Sequence, residues 1–154
     1  MTSLTAQEIA ALNEALDDEY RAWATYDQVM ADFGEVRPFS NIREAEARHI
    51  DALVGLFVRY ALPIPENPWC GQVERFPDLL AACEAGVSAE IENGKMYDRL
   101  LSETREPDIQ AVLRNLQEAS QQRHLPAFQR CAERGGHGSG GRVRWRGGRQ
   151  GSPG

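Results

Sequence analysis

The chain has no uninterrupted apolar run near the roughly 18–20 residues of a membrane span, which argues against a helix that crosses a bilayer. Its first residues, Met1-Thr-Ser-Leu-Thr-Ala-Gln-Glu8, carry neither the basic nor the apolar region of a secretory signal, so a cytoplasmic protein is expected. Cysteine is scarce. Cys70, Cys83 and Cys131 are odd in number and widely spaced, with no CxxC pair, a pattern that predicts small buried thiols rather than disulfides or a zinc site. Strand-like alternation is also nearly absent. At 154 residues the chain is long enough for one domain with a real core.

Basic residues are unevenly placed. Residues 134–154 hold five Arg and no acid, so residues 1–133 carry the remaining 12 basic side chains against all 23 acids, a net of −11. An acidic body argues against a nucleic-acid-binding core and is compatible with attracting cations. The segment from Arg134 to Gly154 is Gly/Arg-rich and low in complexity, and is expected to be a disordered, solvated tail. Arg-Gly segments with an aromatic such as Trp145 can hold single-stranded nucleic acid weakly, but a tail without a dedicated partner is the favoured reading.

Four long segments have helical periodicity. The first spans about Thr5 to Phe33, with Thr5 and Glu8 as a capping box and Gly34 as its stop. The second spans about Ser40, a candidate N-cap, to Leu62, where Pro63 and Pro65 end it. The third begins near Pro77 and reaches about Ser102; the fourth spans Pro107 to about Glu133 and is interrupted by Pro126. Short connections make helices one and two, and helices three and four, antiparallel hairpins. The 14 residues from Pro63 to Phe76, at about 3.3 Å each, can reach roughly 46 Å. That exceeds the ~35–43 Å length of the helices. An all-α four-helix bundle over residues 1–133, two hairpins joined by one long crossover, is the expected fold.

The chain also repeats itself. Glu19 is followed seven residues later by Tyr26-Asp27, and Glu90 seven residues later by Tyr97-Asp98. Downstream come Asn41-Ile-Arg-Glu-Ala-Glu-Ala-Arg-His49 and Asn115-Leu-Gln-Glu-Ala-Ser-Gln-Gln-Arg-His124. Glu46 and His49, at i and i+3, share one helical face. Glu19 and Glu90 come one from each remaining first helix, and carboxylate with imidazole suits iron or manganese. Glu92 competes with Glu90 but lies about 200° round the helix, off the Tyr97 stripe. Tyr26 and Tyr97 are placed to hydrogen-bond the ligands. Taken singly, each residue has an ordinary reading as a surface or core side chain; their order across four helices favours a metal centre.

These residues resemble the ferritin-like superfamily in its rubrerythrin-type branch, through Glu-x6-Tyr in helix one and Glu-x-x-His in helix two. Phe39 to His49, with Tyr60-Ala-Leu-Pro63, is also similar to an uncharacterised bacterial and archaeal ferritin-like family. The resemblance implies a di-iron or iron–manganese centre and oxidation of ferrous iron, reduction of peroxide or activation of oxygen. Without a CxxC pair to hold rubredoxin-type iron, an external electron donor is implied, as is pairing into a homodimer.

The second half departs from this pattern. Gln121 stands three residues before His124 where Glu is expected, and Asn115-to-His124 is one residue longer than Asn41-to-His49. The extra residue predicts a π-bulge, which could swing Glu118 inward. The expected ligands are therefore Glu19, Glu46, His49, Glu90 and His124, with Glu118 or Gln121 as the sixth, around two metals or only one. The alternative is a metal-free bundle that dimerises or docks a partner.

Overall fold

A computed structural model of the chain describes residues 3–136. The expected Gly/Arg-rich tail therefore lies, from residue 137 on, outside the described residues. Among those described, every regular element is helical: α1 (Ala6–Phe33), α2 (Phe39–Arg59), α3 (Leu79–Glu103), α4 (Pro107–Ala119), a π turn (Ser120–His124) and α5 (Leu125–Glu133). None is long and apolar enough to cross a membrane.

The helix ends follow local chemistry. At the start of α1, the Thr5 hydroxyl accepts from the Glu8 N–H at 3.0 Å and the Glu8 carboxylate accepts from the Thr5 N–H at 3.0 Å, so two orphan donors are satisfied reciprocally. The other Glu8 oxygen accepts from the Arg105 N–H at 2.9 Å, tying α1 to the α3–α4 corner. The start of α2 differs from expectation. Ser40 does not cap it; the helix begins at Phe39, whose buried ring packs 5.9 Å from Tyr26 and 5.3 Å from Phe128. α3 is capped by Asp78, which accepts from the Ala81 N–H at 2.8 Å, so Pro77 precedes the cap instead of occupying the first turn. The fourth segment carries the expected π turn, and Pro126 falls just after it, in the first turn of α5.

Side-chain pairs set the topology. Asp27–Arg43 and Glu19–His49 run α1 against α2; Asp18–Asn93 and Glu14–Arg99 run α1 against α3. Tyr60–Asp108 and Glu46–His124 join α2 to the fourth segment, and Glu90–Ser120 joins α3 to it. Every one of these neighbours is antiparallel. The connection from α2 to α3 runs along α1: Tyr20 donates to the Pro65 carbonyl at 2.7 Å, Trp69 to Asp17 at 3.0 Å, and Arg75 grips Asp32.

Two apolar layers fill the bundle. One contains Leu12, Leu16, Leu53, Phe57, Leu100 and Leu113; the other contains Tyr26, Val29, Phe39, Ile42 and Phe128. Along every helix the Glu and His residues fall between them. In the second layer Cys83 and Cys131 form a disulfide, with Cα atoms 5.9 Å apart, and Cys70 is exposed. This corrects the expectation of three buried thiols. The partners are 48 residues apart in sequence, and only the packing of α5 on α3 brings them within bridging distance. Disulfides persist in oxidising surroundings, so the cytoplasmic expectation gains no support here.

Close packing of α3 and α5 requires Gly86. A Cβ built there would stand 2.7 Å from the Phe128 ring. Gly-to-Ala in a helix ordinarily adds up to ~1 kcal/mol; Gly86→Ala is expected to do the reverse, destabilising by about 1–2 kcal/mol through overpacking, read as a lower denaturation midpoint. Glu8→Ala should cost about 2 kcal/mol at pH 7 through the lost cap and the Arg105 bond. The Thr5 and Arg105 amides hold the Glu8 carboxyl below its ordinary value. Its contribution is therefore complete above the unfolded pKa of about 4.3 and is lost as pH falls through the folded one. Denaturant titrations should show the gap between wild type and Glu8→Ala closing between pH 5 and the acid limit of folding.

Candidate metal centre

Glu19 from α1, Glu46 and His49 from α2, Glu90 from α3 and His124 from the end of the π turn meet in the middle of the bundle. The three carboxylates and His124 are each less than 5% exposed. They form two overlapping triads, Glu19–Glu46–His49 and Glu46–Glu90–His124, in each of which the donor atoms lie within 4.8 Å of one another. Glu46 belongs to both. His49 Nδ1 stands 2.9 Å from Glu46 Oε1 and 3.2 Å from Glu19 Oε1. His124 Nδ1 stands 3.6 Å from Glu46 Oε2 and 3.7 Å from Glu90 Oε1. The two imidazoles stack with centroids 5.5 Å apart.

The glutamates are held by donors from the opposite hairpin. Tyr97 donates to Glu19 Oε2 at 2.5 Å and Tyr26 to Glu90 Oε2 at 2.8 Å. The expected hydrogen bonding by these tyrosines is present, and the partners are crossed for a simple reason. Each Glu-x6-Tyr spans two turns, and α1 and α3 are antiparallel, so each tyrosine lies opposite the other helix's glutamate. Two equal spacings on antiparallel helices were a sufficient signal for this exchange.

The π turn is present, but it does not bring Glu118 inward. Glu118 is exposed, because it sits two residues before Ser120, about 200° round the helix. Ser120 faces the cluster instead, donating to Glu90 Oε1 at 2.7 Å. Gln121 does not join the donor set either. Its amide lies in the α3 seam, where its Nε2 donates to the Glu90 carbonyl at 2.6 Å and to Ser120 Oγ at 2.8 Å, in space left by Gly94. Glu118 and Gln121 are thus both removed from the ligand set expected from the sequence. Glu92 is exposed and pairs with Lys95, leaving Glu90 as the inward glutamate of α3. Ser120, Asn93 and Asp18 were not foreseen at the site. Ser120 lies one α turn before His124 on the same stripe and was legible in principle. Asn93, on the Glu90–Tyr97 face, donates to Asp18 Oδ2 at 2.6 Å.

Charge is distributed unequally. Burial, and then the charge of Glu19, push the Glu46 carboxyl well above its ordinary value. Burial alone would raise Glu19 as well, but hydrogen bonds from Glu46 and His49, the His49 charge and the Tyr97 hydroxyl hold it down at about 2. Burial and the neighbouring Glu19 thus favour the neutral form of Glu46, while Glu19 is favoured ionised. Asp18 is raised to about 6 by burial and by Glu19, against the Asn93 amide. Burial, then the nearby carboxylates, raise Tyr26 and Tyr97 well above 10 and keep them as neutral donors.

The donor set fits a metal. His124 Nδ1 is buried without a hydrogen-bond partner, and Glu46 Oε1, although 2.9 Å from His49 Nδ1, makes no aligned hydrogen bond; buried unpaired polar atoms are costly. Both point among oxygen and nitrogen donors of the kind that bind divalent iron or manganese. The cluster could hold a metal ion as it stands.

No family model matches the chain, and no curated protein matches it. Two solved structures do. A hypothetical protein from Methanococcus jannaschii superposes with a TM-score of 0.74 at 22% identity, covering 90% of this chain and 86% of that one. A conserved hypothetical protein from Mycobacterium tuberculosis superposes with a TM-score of 0.66 at 13% identity, covering 93% and 98%. At these identities the likeness extends to the helical fold.

The seam position of Gln121 has a testable consequence. Gln121→Glu should lower stability by about 1–3 kcal/mol, since a carboxylate would face the Glu90 carbonyl where a donor now stands. Thermal melts of the two proteins in chelator measure this directly; equal melting temperatures would place residue 121 elsewhere.

Proposed function

We propose that the chain is a ferritin-like di-metal carboxylate protein that holds iron or manganese between Glu19, Glu46, His49, Glu90 and His124. The observation that carries this reading is the shared Glu46, whose two oxygens face two separate Glu/His groups. A bundle with a single long crossover and inward Glu and Glu-x-x-His residues supports it.

Glu19, Glu46, His49, Glu90 and His124 would hold the metal, Glu46 being common to the Glu19–His49 and Glu90–His124 groups. Two divalent cations would offset the three buried carboxylates. Tyr97, Tyr26 and Ser120 orient the glutamates, as outer-shell donors do at metal sites. Iron or manganese, when bound, would supply one-electron chemistry suited to ferroxidase activity, with ferrous iron as the electron source, or to peroxide reduction, with electrons from an external donor. A mononuclear centre is the second reading. It is favoured by Gln121 lying in the α3 seam, which leaves the site with one carboxylate fewer than a complete pair of Glu-x-x-His motifs would supply.

Metal content after anaerobic ferrous or manganous loading and desalting tests both readings. Two equivalents per chain are expected, one equivalent would select the mononuclear reading, and none of either metal would sink the proposal. Glu46→Gln keeps the shape of the protonated side chain. It should leave the metal-free melting temperature within a few degrees of wild type and abolish the rise in melting temperature that metal produces.

A further inference from the structure

Beneath the crossover between α2 and α3, the seam of α1 and α3 does not close. A cavity of about 760 Å³ opens there, in the range of ~300–1,000 Å³ typical of small-molecule sites. Small side chains leave the space open: Ala82, Ala85 and Ala89 of α3 and Ala22 and Thr25 of α1 line it. Trp69 and Phe76 of the crossover also line it, and the Arg21 guanidinium lies 5.3 Å over the Trp69 ring. The lining includes Asp18, Tyr26, Glu90 and Asn93, so the cavity meets the Glu/His cluster on its Glu90 side.

The polar groups at that end call for a donor. Asn93 is 8% exposed, its Nδ2 is engaged by Asp18, and its Oδ1 has no partner. The lining carries five acids, Asp18, Glu74, Glu84, Glu90 and Glu92, against Arg21 alone, and Arg21 is occupied by Trp69. A bare cation needs a close shell of oxygens at ~2.0–2.6 Å, which a wide space walled by alanine and aromatic rings does not offer. An apolar body with one cationic end satisfies both the walls and the acceptors.

We propose that this cavity binds a small organic amine, its apolar body along the alanine wall and Trp69 and its ammonium group toward Asp18 and Asn93. That the amine is the substrate of the metal centre rests on the preceding reading; the binding itself does not.

Calorimetric titration of the full chain, metal-free and manganese-loaded, with benzylamine, benzyl alcohol and benzoate tests the assignment. Benzylamine is expected to bind at least tenfold more tightly than benzyl alcohol, and benzoate not at all. In the metal-free protein, Asp18→Asn should weaken benzylamine about tenfold and leave benzyl alcohol unchanged. Ala85→Leu should abolish binding of both while manganese content stays at the wild-type level; the crossover variant Trp69→Ala, which should weaken both, provides the same check if Ala85→Leu does not fold. Equal affinity for amine and alcohol would overturn the assigned class. No amine binding with normal manganese content would overturn the cavity as a ligand site and leave a passage for ions. Amine binding without any metal uptake would sink the metal reading and leave this one standing.

Discussion

Three carboxylates and two imidazoles sit at mid-height in an otherwise apolar bundle, and the rest of the structure answers to their burial. Charges removed from water are tolerated only with donors or counter-ions close by. Each helix therefore contributes more than a candidate ligand. Tyr97 steadies Glu19, Tyr26 and Ser120 steady Glu90, and His49 lies against both Glu19 and Glu46. The tyrosines reach across between hairpins, so the polar layer also joins the two halves of the bundle. Apolar layers above and below exclude water and sharpen every electrostatic interaction between them.

The same arrangement explains where the bundle is closed and where it is open. Gly86 lets Phe128 lie directly on α3, and the Cys83–Cys131 bridge fastens α5 there. Elsewhere on α3, Ala85 and Ala89 line a cavity shared with Ala22 and Thr25 of α1 and with Trp69 and Phe76 of the crossover. A loop cannot interdigitate with a helix as another helix does, and a cavity remains beside Glu90. The connection that makes the topology possible thus also leaves the cluster approachable from one face.

Much of this was legible in residue spacing. The period of apolar residues placed four helical segments to within two or three residues at most ends, and the capping box at Thr5 and Glu8 fell where the pattern put it. Glu90 was separable from Glu92 because 200° of helical rotation is too large an error for one stripe to absorb. One surplus residue before His124 was enough to anticipate the π turn. Its consequence was not. A π turn shifts phase for the residues within and after it, so Glu118, which precedes it, stayed outside while Ser120 and His124 came in. Gln121 was read by its distance from His124, but its contact with the Glu90 carbonyl depends on how closely α3 approaches at Gly94.

By itself the sequence determined the elements and their inward faces, because helical period and capping are local properties of a few neighbouring residues. It also marked Glu19, Glu46, His49, Glu90 and His124 as a set, since repetition along the chain survives without knowledge of contacts. Only the tertiary structure decided the pairing of Cys83 with Cys131, the placing of Gln121 in the α3 seam with Ser120 on Glu90, and the cavity beneath the crossover. Each of these depends on the distance between residues far apart in sequence, and that distance is set by side-chain volumes at helix seams, which spacing along one chain does not encode.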